Sequence, residues 1–117
     1  MGDFRRLKVW DEARKLVKEV YIETAAIPKA ELFGLTSQMR RAAISVPANI
    51  AEGRGKNSDK ELNRYLGIAL GSATELECLA ILGEDLGFLA TPKVQFLVGR
   101  CQQVQAMIAV LQKKLKS

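Results

Sequence analysis

The chain has 117 residues, 48% of them hydrophobic but only 6% aromatic, with three prolines, no histidine and a formal net charge of +5. That length suits one domain spanning residues 1–117, with a core that holds without staples. The missing histidine removes the commonest general base near neutral pH and any Glu-x-x-His metal pattern, and no apolar run of membrane-spanning length stands out.

The chain opens on the basic stretch Phe4-Arg5-Arg6-Leu7-Lys8, which carries two apolar anchors. Apolar residues then recur at helical spacing in four places. The first predicted helix runs from about Val9 to Ala26, with Trp10, Ala13, Leu16, Val17, Val20, Tyr21 and Thr24 as its inner stripe and Pro28 as its stop. The second runs from about Leu35 to Glu52, between Gly34 and a closing Gly53. Pro47 lies inside it, where the ring removes one backbone bond and bends the helix. The carbonyl left short is roughly that of Ala43, and Ser45 and Asn49 are the nearby polar groups. The third runs from about Ser58 to Leu86, started by a capping box of Ser58 and Glu61 and stopped at Gly87. Leu62, Tyr65, Leu66, Ala69, Ala73, Leu76, Leu79 and Ala80 form its stripe, and Gly67 and Gly71 are positions for close helix approach. The fourth runs from about Pro92 to Leu115, capped by Thr91, with Val94, Leu97, Val98, Cys101, Val104, Ile108, Leu111 and Leu115 inward. Short connections between long amphipathic helices predict an all-α fold, an antiparallel up-down-up-down four-helix bundle.

Charge is unevenly spread. Residues 1–18 and 40–64 each carry six bases and three acids, residues 65–92 four acids and no base, and residues 93–117 five bases and no acid. Such blocks suit a basic surface facing an anionic partner. Cys78 and Cys101 are far apart without ligand spacing, so both are expected as free thiols in the core. With no apolar signal core near the N-terminus, a cytoplasmic protein without membrane partners is expected.

Two helices carry more apolar surface than one bundle uses. On the second, Ile44, Ala48 and Ala51 lie away from the face of Met39, Ala42, Ala43, Val46 and Ile50. On the fourth, Phe96, Gly99, Met107 and Val110 line a ridge behind the core stripe. Covering Ile44, Ala48, Ala51, Phe96, Met107 and Val110 with sister chains predicts a ring-like homo-oligomer.

The run Arg41-Ala42-Ala43-Ile44-Ser45-Val46-Pro47-Ala48-Asn49-Ile50-Ala51-Glu52-Gly53 resembles the signature of the 23S rRNA intervening-sequence proteins. The likeness continues through Ile68-Ala69-Leu70-Gly71-Ser72-Ala73, Glu75-Leu76-Glu77 and the opening Phe4 to Trp10. The resemblance implies an up-down four-helix bundle assembling as a homopentamer, and no agreed molecular activity. A related branch, the accessory variability proteins of diversity-generating retroelements, implies basic pentameric barrels that bind a reverse transcriptase.

Arg54, Lys56, Lys60 and Arg64, with Arg41, are the candidate nucleic-acid-binding residues. Arginine forks suit phosphate, and the amides opening the third helix favour an anion. Arg40 lies on a packed face and is expected in a structural ion pair with Glu77. Gly53-Arg54-Gly55-Lys56-Asn57-Ser58 lacks the spacing and preceding strand of a nucleotide loop. There is no nucleophile elbow, and Glu75 and Glu77 point apart on one helix. The sequence therefore predicts a non-enzymatic, metal-free and cofactor-free oligomeric scaffold that binds RNA or another nucleic acid. The alternative is a protein adaptor holding a nucleic-acid enzyme such as a reverse transcriptase.

Overall fold

The computed structural model describes residues 2–116. Among them are four long helices and no strand: α1 (Lys8–Thr24), α2 (Ser37–Arg54), α3 (Asp59–Asp85) and α4 (Thr91–Lys116). They form a body of 44 × 21 × 19 Å in which each long helix packs on two others, α1 against α2 and α4, and α3 against α2 and α4.

Local chemistry explains most boundaries. The basic opening is ordered: Asp3 accepts from the Arg5 amide at 3.0 Å and caps a single 3-10 turn over Phe4–Arg6, and Phe4 meets Trp10 edge-on at 4.9 Å. The chain between α1 and α2 makes two short non-α turns, and Gly34 breaks helical geometry there (φ −108°, ψ −112°), so α2 begins at Ser37 rather than at Leu35. At the far end of α2 the helix runs past Gly53 to Arg54, and the Gly55 amide closes it onto Ala51 and Glu52.

The Ser58 hydroxyl accepts from the Glu61 amide at 3.1 Å, but the Glu61 carboxylate turns to Arg64, so only half of the capping box forms. Gly87, at φ +80°, ends α3 in the left-handed region that an L side chain resists. Thr91 does not cap α4. Its hydroxyl donates to Glu84 Oε2 at 2.7 Å, and the Ala90 carbonyl accepts from Lys93 and Val94 instead.

The core is one cluster running the length of the four helices. On α3 the expected stripe is buried apart from half-buried Tyr65. On α1 the buried face is rotated toward Val9, leaving Tyr21 40% exposed. Cys101 is buried but Cys78 is exposed, which corrects the expectation that both thiols lie in the core. Burial pushes the Cys101 thiol up to about 12, with Glu77 and Glu19 adding to the effect.

Pro47 lies within an unbroken α2. The Asn49 amide donates to the Ser45 carbonyl at 2.8 Å and to the Ser45 hydroxyl at 2.9 Å, not to Ala43. The Ser72 hydroxyl of α3 donates to Ser45 Oγ at 2.8 Å, so the polar wedge of α2 becomes a cross-helix link. Between α1 and α4, Arg100 donates to Glu19 at 3.0 Å and to Glu12 at 3.2 Å. Helix α3 is also long and apolar enough to cross a membrane by length and composition, and 39% of that stretch is buried against the other helices.

Close approach occurs at other glycines than those expected. Gly67 meets only Gln112, at 3.7 Å, and Gly71 has no neighbour within 4 Å, because both lie on the outer face of α3. A Cβ on Gly53 would sit 2.7 Å from the Tyr65 Cβ and 3.3 Å from the Leu62 carbonyl oxygen. A Cβ on Gly83 would sit 2.7 Å from Leu89. Gly53→Ala is expected to destabilise the fold by about 1–3 kcal/mol. Gly99→Ala, in open space on α4, should stabilise it by about 0.5–1 kcal/mol. Urea unfolding followed by circular dichroism measures both, and equal midpoints for the two variants would contradict this packing.

Candidate nucleic-acid interface

Contacts bring four chain segments to one end of the molecule. Gly53 lies on Leu62 and Tyr65, Gly2 lies against the Arg54 guanidinium, and Gly67 faces Gln112. Leu7, Lys8 and Val9 line one apolar cleft of about 460 Å³ with Met107, Val110, Leu111 and Lys114. Residues 2–11, 52–64 and 111–116 thus share this end. They hold ten of the 18 Lys and Arg but five of the 13 Asp and Glu, leaving eight of each elsewhere. The whole excess of +5 is therefore concentrated in one place.

At its centre is the turn between α2 and α3. Arg54, Lys56, Ser58, Asp59 and Gly2 help to line a hollow of about 170 Å³, and Arg54 Nε is buried without a hydrogen-bond partner. Tyr65 is a platform for two cations: Lys56 Nζ lies 5.4 Å from the ring centroid and the Arg64 guanidinium 4.5 Å. Arg64 is also held by Glu61 at 3.1 Å, whereas Lys60 is exposed. The structure therefore brings Arg54, Lys56, Lys60 and Arg64 together.

Arg41 does not join them. Thirteen residues of helix separate it from Arg54, about 20 Å at the α-helical rise. It lines a polar hollow with Gln38, Ser45, Ser72 and Glu75. Arg40 and Glu77 do not pair either. Arg40 turns toward α1, where its guanidinium lies 4.4 Å from the Tyr21 ring centroid and its Nε donates to Thr24 Oγ1 at 3.0 Å. Glu77 turns toward α4 and accepts from Gln102 at 3.1 Å and Gln105 at 2.8 Å. The two residues sit on helices that face different neighbours, which a wheel of either helix alone does not reveal.

Of the residues expected to meet sister chains, Ile44, Ala48, Phe96 and Val110 are exposed, while Ala51 and Met107 are half-buried and Met107 packs on the core. The most exposed large apolar side chain among the described residues is Phe33, at 93%. Sequence periodicity missed it because it lies between helices, in the turn broken by Gly34. Among the described residues no group of three or more His, Cys, Asp or Glu is placed to hold a metal.

The profile of the 23S rRNA-intervening sequence proteins matches residues 5–110, which include every candidate site residue. The chain belongs to that family. A crystal structure of a protein with unknown function from the S23 ribosomal protein family of Bacteroides thetaiotaomicron has the same fold. It superposes with a TM-score of 0.83 at 19% identity, covering 90% of this chain and 95% of that one. No curated protein matches. Within this 23S rRNA-intervening sequence protein, Lys113, Lys114 and Lys116 extend the basic end beyond the matched span.

Three carboxyls at the basic end lie below the ordinary carboxylate range: Glu61 through Arg64, Asp11 through Lys15 and then Arg14, and Asp3 through Arg5. Their folded values lie below the unfolded ones, so each is ionised near neutrality. Its stabilising contribution is lost only as pH falls through the acid range. With no histidine present, this end holds no side chain of a type that ordinarily titrates between about pH 7.5 and about pH 5.5. The salt needed to elute the protein from heparin is expected to be the same at both pH values. A clear rise at the lower one would show that another group governs the surface.

Proposed function

We propose that this protein is a non-enzymatic, self-associating scaffold that binds RNA through its basic end. The observation that carries the reading is the confinement of the net +5 to the end where residues 2–11, 52–64 and 111–116 meet. A polyanion gains from such a surface by releasing condensed counterions, and arginine and lysine supply the contacts without reading sequence. Tyr65, already covered by Lys56 and Arg64, adds a flat ring beside the phosphate contacts.

The reading takes the helices as an antiparallel up-down-up-down bundle with α2 bent at Pro47. Contacts that run in opposite order along successive helices support it: Leu35 with Gly83, Ser45 with Ser72, and Gly53 with Leu62. It also takes the molecule as a ring-like homo-oligomer of the cytoplasm, with five copies as the family resemblance implies. Exposed Ile44, Phe96 and Val110 support self-association, and repetition multiplies contacts that are individually weak. The lack of histidine supports a non-catalytic role.

RNA affinity is expected to fall steeply between about 50 and about 200 mM salt, with each phosphate contact adding about 0.7–0.9 to the logarithmic slope. Lys56→Ala combined with Lys60→Ala should flatten that slope by about 1.5 and leave the helical circular dichroism unchanged. Filter binding across a salt series measures it, and a slope near zero for the native protein would overturn the reading.

A further inference from the structure

The end remote from the basic segments is apolar on its outside. Among the described residues, nine of the eleven exposed large hydrophobic side chains fall within 21–44 and 81–96. Two surfaces that reach into it are complementary.

The first is a groove of about 310 Å³ between α1 and α2, floored by Tyr21, Leu32, Phe33, Thr36 and Ile44. Its charged members are both cations: Arg40, fixed on the Tyr21 ring, and Arg41, which also lines a polar hollow with Glu75 of its own chain. The second is the outer face of α3. Ile68, Glu75, Cys78, Leu82 and Asp85 recur at steps of seven, three, four and three, and all are exposed. That spacing puts them on one stripe, like the seam of a coiled coil. No lysine or arginine falls in residues 65–92. One surface is apolar and basic, the other apolar and acidic.

They also lie level with each other. The Leu35–Gly83 and Ser45–Ser72 contacts place α3 residues 72–83 beside α2 residues 35–45. A contact between level surfaces on successive copies needs rotation without translation along the helices. A head-to-tail contact closes into a ring when its rotation closes.

We infer that the outer face of α3 of one copy seats in the Tyr21–Phe33–Ile44 groove of the next. Phe33 is the anchor, and Glu75 comes to the level of the neighbouring Arg41. The inference rests on the self-association proposed above and names its surfaces. In such a ring every basic end points to the same side.

Cysteine crosslinking of the full chain tests it. Ser37 lines the groove at the level of Cys78–Leu82. Ser37→Cys is expected to form a disulfide with the native Cys78 of the next copy on mild oxidation, giving a ladder beyond dimer on a non-reducing gel. Combining it with Cys78→Ser should abolish the ladder. Phe33→Asp, at a site 93% exposed, should keep the helical circular dichroism and reduce the solution mass to that of a 12.9 kDa chain. An oligomer that Phe33→Asp leaves intact, or that oxidation joins only through paired Cys78 thiols, overturns this interface and leaves the RNA reading standing. A native protein that is already a 12.9 kDa monomer overturns the interface and the proposed self-association together. Loss of salt-dependent RNA binding with the ladder retained overturns the RNA reading alone.

Discussion

The close crossing of α2 and α3 is the constraint on which the remaining geometry depends. It works through small residues. Gly53 marks one end and has no room for a methyl group against Leu62 and Tyr65, while Gly83 toward the other end is closed by Leu89 of the turn after α3. Between them Ala42, Ala43, Ala69 and Ala73 are buried. Small side chains let helix axes approach toward the short end of the usual range, about 8 Å. The Ser45 and Ser72 hydroxyls meet across this crossing, and their 2.8 Å hydrogen bond resists sliding of one helix along the other. The register so fixed delivers Arg54, Lys56 and Lys60 to one turn and places Tyr65 beneath two of the cations.

Electrostatics follows from that register. Away from the basic end, acids and bases are equal in number, and several are engaged with each other. Arg100 bridges Glu12 and Glu19, and Lys93 approaches Glu23 at 3.9 Å. Both contacts join α4 to α1, so they neutralise the seam they close. At the other end Glu61, Asp11 and Asp3 are each tied to a local arginine or lysine. Cations outnumber acids at this end by ten to five. A field built this way acts over roughly a Debye length, about 8 Å in physiological salt, so it favours an extended anion that touches several cations at once.

Much of this was legible in the sequence, and the gaps have physical causes. Apolar spacing located all four helices, Ser58 marked one helix start and Gly87 one stop, because those devices act within a few residues. What failed involved a choice between neighbours. A wheel puts Arg40 on a packed side, yet it cannot say that this side meets Tyr21 and Thr24 of α1 rather than Glu77 of α3. Arg41 was grouped with Arg54 because both flank one motif, although the helix between them holds them apart. Gly67 and Gly71 suit a close approach by spacing alone, which fits either side of a helix, whereas the crossing selects Gly53 and the turn after α3 selects Gly83. Phe33 left no signal at all, since a turn has no period to read.

The motif that identifies the family is, in this light, a packing device more than a binding one. Within residues 41–53, Ala42, Ala43, Val46, Ile50 and Gly53 are buried, and Ser45 and Asn49 are bonded to each other. Pro47 needs tertiary support, because its ring removes an amide donor, and buried Val46 and Ile50 pack the helix on either side of it. What remains exposed is Arg41, Ile44, Ala48 and Glu52, too sparse and mixed to hold a ligand unaided. The motif's contribution is therefore positional. It sets how α2 lies on α3, and the charges that can meet an anion stand just beyond it, on the turn and at the ends of the other helices. A substitution inside the motif would shift that turn, whereas a substitution at exposed Lys60 would change charge without touching the α2–α3 packing.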